Sequence, residues 1–391
     1  MTLISTEPEL RTVAERLAKA TRVAIDIESN GLFKYRAALC TLQIAVEGEA
    51  PIVVDTIAVS LAPLREVLGA AGPRKIVHDI AFDARILAEN GTVLANVFDT
   101  SLAARMLGRQ QAGLASLLQS ELGVTVDKKL QHHDWTERPI TKEQLKYLAD
   151  DVAHLPALAE KLAAEVAAKG IADELEEETR YRLAQAEASV AAGDPRPFYA
   201  RLKGIDRTPK EELPLLRRLA DAREAEAKAL DVPPYKVIGP DVLFAIAKAR
   251  PRSMADLDKI KNALAGHRAR ALAPKLLAAV EAGIADGDVP EADRPFLERP
   301  RLPAGVAKAR RAREHRLNAW RRAEAKKRGV DEQVVLPGHC LQDLADLDDG
   351  ATLADVAAVP GIGKFRVERV GAALVDALAR RDEPPSAGDP E

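Results

Sequence analysis

Long apolar segments are absent from this sequence, and nothing in it approaches the roughly 18 uninterrupted apolar residues that a membrane-spanning helix needs. At the N terminus no basic flank leads into an apolar core, as it does in a secretion signal. Only two cysteines occur, Cys40 and Cys340, too few for a disulfide framework. We therefore expect a cytoplasmic protein that has no membrane partner.

Aromatic residues and an excess of one charge are also scarce. Aromatics make up 4% of the chain and the net charge is −3, so any surface for nucleic acid would have to be a local patch. Hydrophobic residues reach 47% and charged residues 30%, and the abundant alanine and leucine favour helices. A chain of 391 residues is too long for one ordinary core, which predicts two or three domains.

Two carboxylates, Asp26 and Glu28, stand two residues apart at the end of the hydrophobic run that begins at residue 23. Alternate side chains of a strand point to opposite faces, so both acids would project from the same face. Two anions so close repel each other unless a cation or a proton compensates. Because Mg²⁺ and Mn²⁺ prefer oxygen ligands and leave positions for phosphates, the pair indicates phosphoryl chemistry. Solvated acids at a strand end would give the same short pattern.

Two later segments supply further carboxylates. Asp83 opens an apolar-periodic helix just after a strand end, where an acid also suits the positive helix terminus. Tyr147 and Asp151 lie four residues apart and would share one helix face. Asp150 lies three residues from Tyr147, and helix geometry alone does not choose between Asp150 and Asp151.

Hydrophobic periodicity predicts an α/β arrangement for the first hundred residues. We expect helices at residues 7–20, 61–70 and 82–89, and strands at residues 23–27, 42–46, 52–55, 75–78 and 93–98. From residue 100 to about residue 190 the pattern is wholly helical. Among the other polar residues, Asp55 and Asp99 are expected to be structural, with Asp99 capping the helix that follows it. Trp135 is interpreted as a packed anchor for its loop rather than a platform for a base.

The three acidic segments, in this order, resemble the exonuclease motifs of the DEDD superfamily, tyrosine subclass. The segment Asp134-Trp135-Thr136-Glu137-Arg138-Pro139-Ile140 is similar to the D-W-x-x-R-P-L segment of bacterial ribonuclease D. The resemblance covers residues 20–155. It implies a ribonuclease-H-like catalytic domain with a mixed sheet, and it selects Asp151 over Asp150.

The same resemblance implies a site with two divalent metal ions, Mg²⁺ or Mn²⁺. Four carboxylates are about what two ions need to bind the attacking and leaving oxygens at phosphorus. Carried over residue by residue, Asp26 would bridge the ions, Glu28 and Asp151 would complete the first, and Asp83 would hold the second through water. Tyr147 would orient the attacking water, since a phenol is a poor base at neutral pH.

The C-terminal half contains an internal repeat with a shift of 98 residues, in which the segment from Ala227 to Leu243 recurs from Ala325 to Leu341. The two copies look like paired helicase-and-RNase-D C-terminal (HRDC) domains. We predict an exonuclease domain at residues 1–195, all-α HRDC-like domains at residues 210–290 and 300–381, and a disordered tail at residues 382–391. The turn Pro360-Gly361-Ile362-Gly363-Lys364 could cradle a phosphate, although an ordinary interhelical turn is the simpler interpretation.

A basic segment in the second repeat is the candidate for RNA docking. Residues 299–328 hold 12 lysines and arginines against two acids, and such an excess repels itself unless anions are near. The candidate RNA contacts are His78, Arg310, Arg311, Arg313, Arg321 and Arg322. His78 is a weak candidate, because a lone histidine at a strand end is usually structural. Residues 331–355, with seven acids and no lysine or arginine, could instead compensate the basic segment.

These features predict a metal-dependent 3′–5′ exoribonuclease that releases nucleoside 5′-monophosphates. The resemblance points to RNA, such as tRNA precursors with 3′ extensions, and no obligate protein partner is expected. A 3′–5′ DNA exonuclease is the first alternative, because the same acids hydrolyse either polymer. A non-catalytic RNA-binding protein is the second, which the intact set of acids disfavours.

Overall fold

The structure is a computed structural model that describes residues 1–297 and 302–379. Six strands form one sheet: β1 (Thr2–Ile4), β2 (Arg22–Ser29), β3 (Leu39–Ala45), β4 (Ile52–Asp55), β5 (Arg74–Val77) and β6 (Val97–Asp99). Their order across the sheet is β1-β4-β3-β2-β5-β6. Strand β2 is antiparallel to β3 and parallel to β5, so the predicted mixed sheet is confirmed.

Apart from shifts of up to three residues at strand ends, the predicted strands differ from the observed ones at two places. Strand β1 was not predicted, because three residues are too short to show a periodicity; it pairs parallel to β4 at the sheet edge. The strand predicted at residues 93–98 was wrong in its first half, since the strand runs only from Val97 to Asp99. Asn96 has a positive φ of 53°, which is incompatible with a strand.

Eight α-helices belong to the N-terminal region: α1 (Glu7–Leu17), α2 (Arg65–Leu68), α3 (Ile80–Glu89), α4 (Thr100–Met106), α5 (Leu114–Leu117), α6 (Lys142–Ala153), α7 (Leu155–Ala168) and α8 (Ala172–Ala192). The helices cover both faces of the sheet, as a mixed or parallel sheet requires. The prediction of an unbroken helical region after residue 100 was wrong. Residues 123–141 are largely irregular, since Gly123 ends a helical turn at φ 68° and Pro139 cannot donate a backbone hydrogen bond.

The C-terminal region is entirely helical in the part that the structure describes. Its helices are α9 (Leu213–Ala229), α10 (Pro240–Ala249), α11 (Met254–Asp258), α12 (Gly266–Asp286), α13 (Arg294–Leu297), α14 (Ala304–Arg328), α15 (Glu332–Val335), α16 (Gly338–Asp346), α17 (Leu353–Ala357) and α18 (Lys364–Ala379). One apolar core lies within α9–α12 and a second within α14–α18. The tail predicted to be disordered, residues 382–391, lies outside the described residues, and no described helix is long and apolar enough to cross a membrane.

The second helical domain is bound to helix α8 by buried ion pairs. Arg366, only 3% exposed, lies 2.8 Å from the carboxylate of Glu178, which is 4% exposed. Glu174, 1% exposed, accepts from Arg328 at 3.0 Å. Charges buried this deeply are tolerated because each has a partner of opposite sign. The two domains are therefore held in a defined relative position.

The Pro360–Lys364 turn takes part in this contact. Glu177 of α8 accepts a hydrogen bond of 2.9 Å from the backbone N–H of Phe365. Gly361 and Gly363 have φ of 79° and 74°, and Tyr181 of α8 stacks on His339 next to the turn, at 4.9 Å between ring centroids. The possible phosphate cradle therefore holds a protein carboxylate, and the simpler interpretation as an interhelical turn fits the structure.

We predict that Gly361→Ala weakens the contact between α8 and the second helical domain. A Cβ at this position would lie 2.5 Å from His339 Nε2 and 2.7 Å from Tyr181 Cζ. Gly287→Ala is the matched control, because Gly287 has a similar φ of 68° but open space around it. The control should lose about 1 kcal/mol from backbone strain, and Gly361→Ala roughly 1–3 kcal/mol more from the clash. Equal melting temperatures of the two variants would contradict the close packing of Gly361 against Tyr181 and His339.

Candidate active site

Strand β2 places the first two acids on one face, as its alternation requires. Asp26 and Glu28 lie on the same face as buried Ala24, which packs towards α4 and α7, whereas Ile25 and Ile27 enter the core on the opposite face. On the neighbouring strand β3, Gln43 pairs opposite Asp26 and Thr41 opposite Glu28. Both neighbours are fully buried, and Gln43 donates to Thr41 Oγ1 at 2.7 Å.

Helix α6 brings the third acid to this face. A capping box of Thr141 and Gln144 fixes the start of the helix. Carboxylate oxygens of Asp26, Glu28 and Asp151 all lie within 4.8 Å of one another. Asp150 is instead bound by Lys146, one helical turn away. The geometry therefore favours Asp151, the choice that helix spacing alone had left open.

Asp83 approaches the three acids from α3. It is 7% exposed and lies in the first turn of the helix, just after strand β5. The carboxylate of Asp99 accepts from the backbone N–H of Asp79 and of Ile80, both at 3.1 Å, and so fixes where α3 begins. Asp83 does not belong to the cluster of three acids whose oxygens lie within 4.8 Å of one another. It is nevertheless close enough for the charges of Asp26 and Glu28 to raise its pKa.

Asp99 has a wider structural role than the sequence indicated. Its side chain accepts from Ser101 N at 2.9 Å and from Leu102 N at 3.1 Å, which confirms the predicted cap of α4. The same carboxylate also receives the two amides at the start of α3. One buried acid thus aligns two helices beside the site, and four N–H donors satisfy its charge.

Burial raises the pKa values of all four acids in the metal-free protein, and repulsion among them raises those of Glu28, Asp83 and Asp151 further. Burial raises the pKa of Asp26 to about 7. Burial, and next the charges of Asp26 and Asp151, raise the pKa of Glu28 to about 9. Burial and the charge of Asp26 raise the pKa of Asp151 to about 8. Burial, followed by the charges of Asp26 and Glu28, also raises the pKa of Asp83.

This donor set fits a divalent metal ion. Its members are carboxylate oxygens, the ligands that Mg²⁺ and Mn²⁺ prefer, and no lysine or arginine is paired with any of them in the described residues. A cation would favour the ionised form of every acid and remove the repulsion that raises their pKa values.

Tyr147 lies one helical turn before Asp151 on α6. Burial, and next the charges of Asp151 and Glu28, raise the pKa of its phenol, so the hydroxyl stays protonated. Its ring stacks on that of Trp135, with 5.7 Å between centroids. Trp135 is 2% exposed, which confirms its interpretation as a packed anchor. Its indole N–H lies near Glu28 and opposes the rise of the Glu28 pKa.

An ion pair that the sequence did not reveal holds the Trp135 loop in place. Arg138 donates two hydrogen bonds of 2.7 Å to Asp55 at the end of β4. It also donates to the backbone carbonyls of Cys40 at 3.1 Å and Trp135 at 2.8 Å. The sequence showed an arginine in the Arg-Pro pair of the motif and an acid at the end of a strand. It gave no indication that these two distant residues pair with each other. The interpretation of Asp55 as structural is confirmed.

His78 lies at the end of β5 beside the site but faces protein groups. Its Nδ1 is 2.9 Å from Thr100 Oγ1, which in turn donates to the carbonyl of Val77 at 2.9 Å. Burial lowers the pKa of His78, against the opposing effect of Asp99. These contacts fit the structural interpretation better than contact with RNA.

Of the five candidate arginines, two are buried, Arg310 is half-buried, and two are exposed. Arg310 pairs with Asp346 and Glu314. Arg313 and Arg321 are each 6% exposed; Arg313 binds Asp349 at 3.0 Å, and Arg321 donates to the carbonyl of Glu332 at 2.8 Å. The acidic segment therefore compensates much of the basic helix, and all three of these arginines have partners within the protein. Arg311 and Arg322 are exposed. Residues 299–301 of the basic segment lie outside the described part of the chain.

The fold and its acidic face define a class of protein, the 3′–5′ exonucleases of the DEDD type. The profile of the 3′–5′ exonuclease domain matches residues 1–167, and that of the HRDC domain matches residues 212–280 and 310–378. Ribonuclease D of Jannaschia sp. strain CCS1 is 31% identical over 349 residues, which span 88% of each chain. The chain thus belongs to the ribonuclease D family, and it is a 3′–5′ exoribonuclease.

Solved structures agree with this fold. Escherichia coli RNase D, described as an exoribonuclease involved in structured RNA processing, has a TM-score of 0.70 and 24% identity, with 96% of this chain and 98% of that chain covered. A protein from Bifidobacterium adolescentis has a TM-score of 0.75 and 21% identity, with 97% of each chain covered. The predicted architecture, a ribonuclease-H-like exonuclease domain followed by HRDC domains, is confirmed. At these identities the two structures support the fold alone.

We predict that the metal-free protein loses stability as the pH rises from about 5 to about 9. Unfolded carboxylates ionise near pH 4, whereas Asp26, Asp151 and Glu28 keep protons in the folded protein until about pH 7, 8 and 9. In that window the folded state binds more protons than the unfolded state, so raising the pH favours unfolding. Melting temperatures in EDTA and in MgCl₂, at pH 6 and pH 9, measure the effect.

Magnesium should reduce the loss at pH 9, because it binds only the folded cluster of ionised acids. Asp26→Asn is the control, since it removes one charge from the cluster and should show a smaller loss between pH 6 and pH 9. An identical pH dependence in the variant and the parent protein would contradict the assignment of these pKa values.

Proposed function

We propose that this exoribonuclease uses two divalent metal ions, held by Asp26, Glu28, Asp83 and Asp151, to release nucleoside 5′-monophosphates from the 3′ ends of RNA. The observation that carries the proposal is the meeting of Asp26, Glu28 and Asp151 oxygens within 4.8 Å, with Asp83 in electrostatic reach. Acids this close and this buried are costly to a fold unless a cation binds them.

The metal ions, when bound, supply an activated water and neutralise charge that develops on the phosphate. The protein residues hold these ions and the water. Asp26, Glu28 and Asp151 would together hold one ion, and Asp26 and Asp83 would hold the other.

Tyr147 is proposed to orient the attacking water. Its phenol remains protonated because burial and the nearby acids raise its pKa, so it can donate or accept a hydrogen bond but cannot serve as a base at neutral pH. The stacked ring of Trp135 fixes the orientation of the Tyr147 ring, and the Arg138–Asp55 pair fixes the loop that carries Trp135. Because the hydroxyl is already fixed in position, less entropy is lost when it orients the attacking water.

The proposed substrates are structured RNAs with protruding 3′ tails, such as tRNA precursors, and a cytoplasmic location accords with that substrate. Support comes from membership of the ribonuclease D family. We propose Mg²⁺ or Mn²⁺ as the ions because the donors are all carboxylate oxygens.

End-labelled RNA and DNA of one sequence, incubated with and without MgCl₂, test this function directly. We expect the RNA to shorten from its 3′ end in single-nucleotide steps, with nucleoside 5′-monophosphates as products, only when the metal is present. Hydrolysis of the DNA alone would favour the alternative of a DNA exonuclease. Hydrolysis of neither polymer would contradict the proposal.

We predict that Asp151→Asn lowers the rate of hydrolysis by at least about a hundredfold, because it removes a metal-binding charge. Asp150→Asn is the matched control, an identical change at the adjacent residue. Asp150 forms a helix-surface ion pair with Lys146, and the loss of such a pair should change the rate by less than about twofold. Single-turnover rates at saturating MgCl₂ make the comparison. If Asp150→Asn lowered the rate more than Asp151→Asn, the metal ligand would be Asp150 and not Asp151.

Tyr147→Phe should lower kcat by roughly a hundredfold and leave KM nearly unchanged. The substitution removes only the hydroxyl and preserves the ring that stacks on Trp135. Steady-state kinetics on a short RNA oligonucleotide separate the two constants. An increase confined to KM would assign Tyr147 to substrate packing instead of water positioning.

A further inference from the structure

A cleft of about 690 Å³ lies between the end of α4 and the second HRDC domain. The cations that line it are Arg105, Arg109, Arg182, Arg322, Lys326 and Arg366. The acids that line it are Glu178, Asp331 and Glu332. Two domains therefore contribute six cations and three acids to the same space, and the balance is positive.

Half of the cations in this cleft already have strong partners within the protein. Arg109 lies 2.8 Å from both Glu121 and Glu165. Arg182 and Arg366 share Glu178, at 2.9 Å and 2.8 Å. These three arginines serve the fold and the contact between domains.

The acids of the cleft are also engaged. Glu178 is bound by the two arginines that share it, and Asp331 accepts from the backbone N–H of Gln333 at 2.7 Å as the cap of α15. Glu332 lies 3.6 Å from Arg322 Nε, a long and exposed contact in which 71% of the Arg322 side chain remains accessible. Little negative charge is left to neutralise the remaining cations.

Three cations thus face the cleft with little or no compensation. Arg105 of α4 and Lys326 of α14 are exposed and form no ion pair in residues 1–297 and 302–379, and Arg322 has only the weak contact with Glu332. Arg105 belongs to the exonuclease domain, whereas Arg322 and Lys326 belong to the second HRDC domain. Like charges held on opposite walls by two docked domains repel each other, which favours an anion between them.

The cleft borders the end of β5, the strand that pairs with β2, on which Asp26 and Glu28 lie. Helix α4 begins at Thr100, which binds His78, and Arg105 lies five residues along it, or about 8 Å at the helical rise. Ala112, another lining residue, contacts His78 through its backbone. The cleft therefore lies along a direction that an RNA with its 3′ end at the acids can follow past the end of β5.

We propose that the cleft binds the phosphodiester backbone of the RNA upstream of its 3′ end, through Arg105, Arg322 and Lys326. The inference rests on the proposed function and adds the path of the substrate. Arginine and lysine bind phosphates without reading sequence, which suits an enzyme that trims varied RNAs. The second HRDC domain then contributes one wall of a shared groove, and the basic surface is confined to a small part of α14.

The test measures RNA affinity in the Asp26→Asn background, where hydrolysis does not interfere. Arg105→Gln/Lys326→Gln removes one cation from each wall of the cleft. Lys308→Gln/Lys327→Gln is the matched control, with the same loss of charge on exposed residues of α14 that do not line the cleft. Affinity for a single-stranded RNA of a dozen nucleotides is measured over a series of salt concentrations.

We expect the cleft variant to bind the RNA more weakly and with a shallower salt dependence. At about 0.7 log units of affinity per log unit of salt for each phosphate contact, the loss of two contacts reduces the slope by about 1.4. The control variant should keep the slope of the parent protein. Affinity for a nucleoside 5′-monophosphate, whose single phosphate lies at the acids, should be the same in all three proteins.

Equal slopes for the cleft variant and its parent would overturn the proposal. An equal loss in the control variant would also overturn it, in favour of a surface spread along α14. These outcomes are distinct from failure of the proposed function, because that failure appears as lack of hydrolysis by the protein with Asp26 intact, whereas binding is measured without turnover.

Discussion

The mutual repulsion of four enclosed carboxylates is the constraint on which the arrangement of the catalytic domain depends. Asp26 and Glu28 come from one strand, whereas Asp83 and Asp151 come from two separate helices, α3 and α6. Burial and proximity raise the pKa of each acid, so the metal-free fold is strained at this point. A site of this kind stores electrostatic free energy that a bound cation releases.

The surrounding structure resists that repulsion with fixed contacts. Asp99 aligns the starts of α3 and α4 with four backbone hydrogen bonds, and a capping box sets the start of α6. The Arg138–Asp55 pair joins an irregular loop to the end of β4 and supports the stacked Trp135 and Tyr147 rings. Each contact fixes the start of an element or the base of a loop, which is where a small shift would displace a catalytic side chain most.

The sequence was sufficient to predict features that depend on local periodicity. Strand alternation put Asp26 and Glu28 on one face, and a cap was expected at Asp99 because the residue precedes a helix. Features that depend on partners far apart in sequence were not predictable. The charge counts showed that residues 331–355 could compensate the basic helix, but they did not show that Arg313 and Arg321 are buried while Arg322 is exposed. The choice between Asp150 and Asp151 likewise needed the position of α6 on the sheet.

The two HRDC repeats use equivalent segments to contact the exonuclease domain at different places. Asp231 of the first repeat and Gly329 of the second are related by the shift of 98 residues, and both have a positive φ, of 49° and 65°. Asp231 lies 2.8 Å from Lys34 in the loop after β2, whereas a Cβ on Gly108, at the end of α4, would lie 2.4 Å from the Gly329 carbonyl oxygen. The same turn position thus contacts the exonuclease domain through a side chain in the first repeat and through a backbone carbonyl in the second.

We propose that the carboxylate cluster holds two divalent ions beside the 3′ end of the RNA. A crystal structure with Mn²⁺ and a nucleoside 5′-monophosphate, with the manganese located by its anomalous scattering, decides the question. We expect two manganese peaks, one near Asp26, Glu28 and Asp151 and the other near Asp26 and Asp83, with the phosphate next to both. Manganese at other residues, or no peak at these acids, would contradict it.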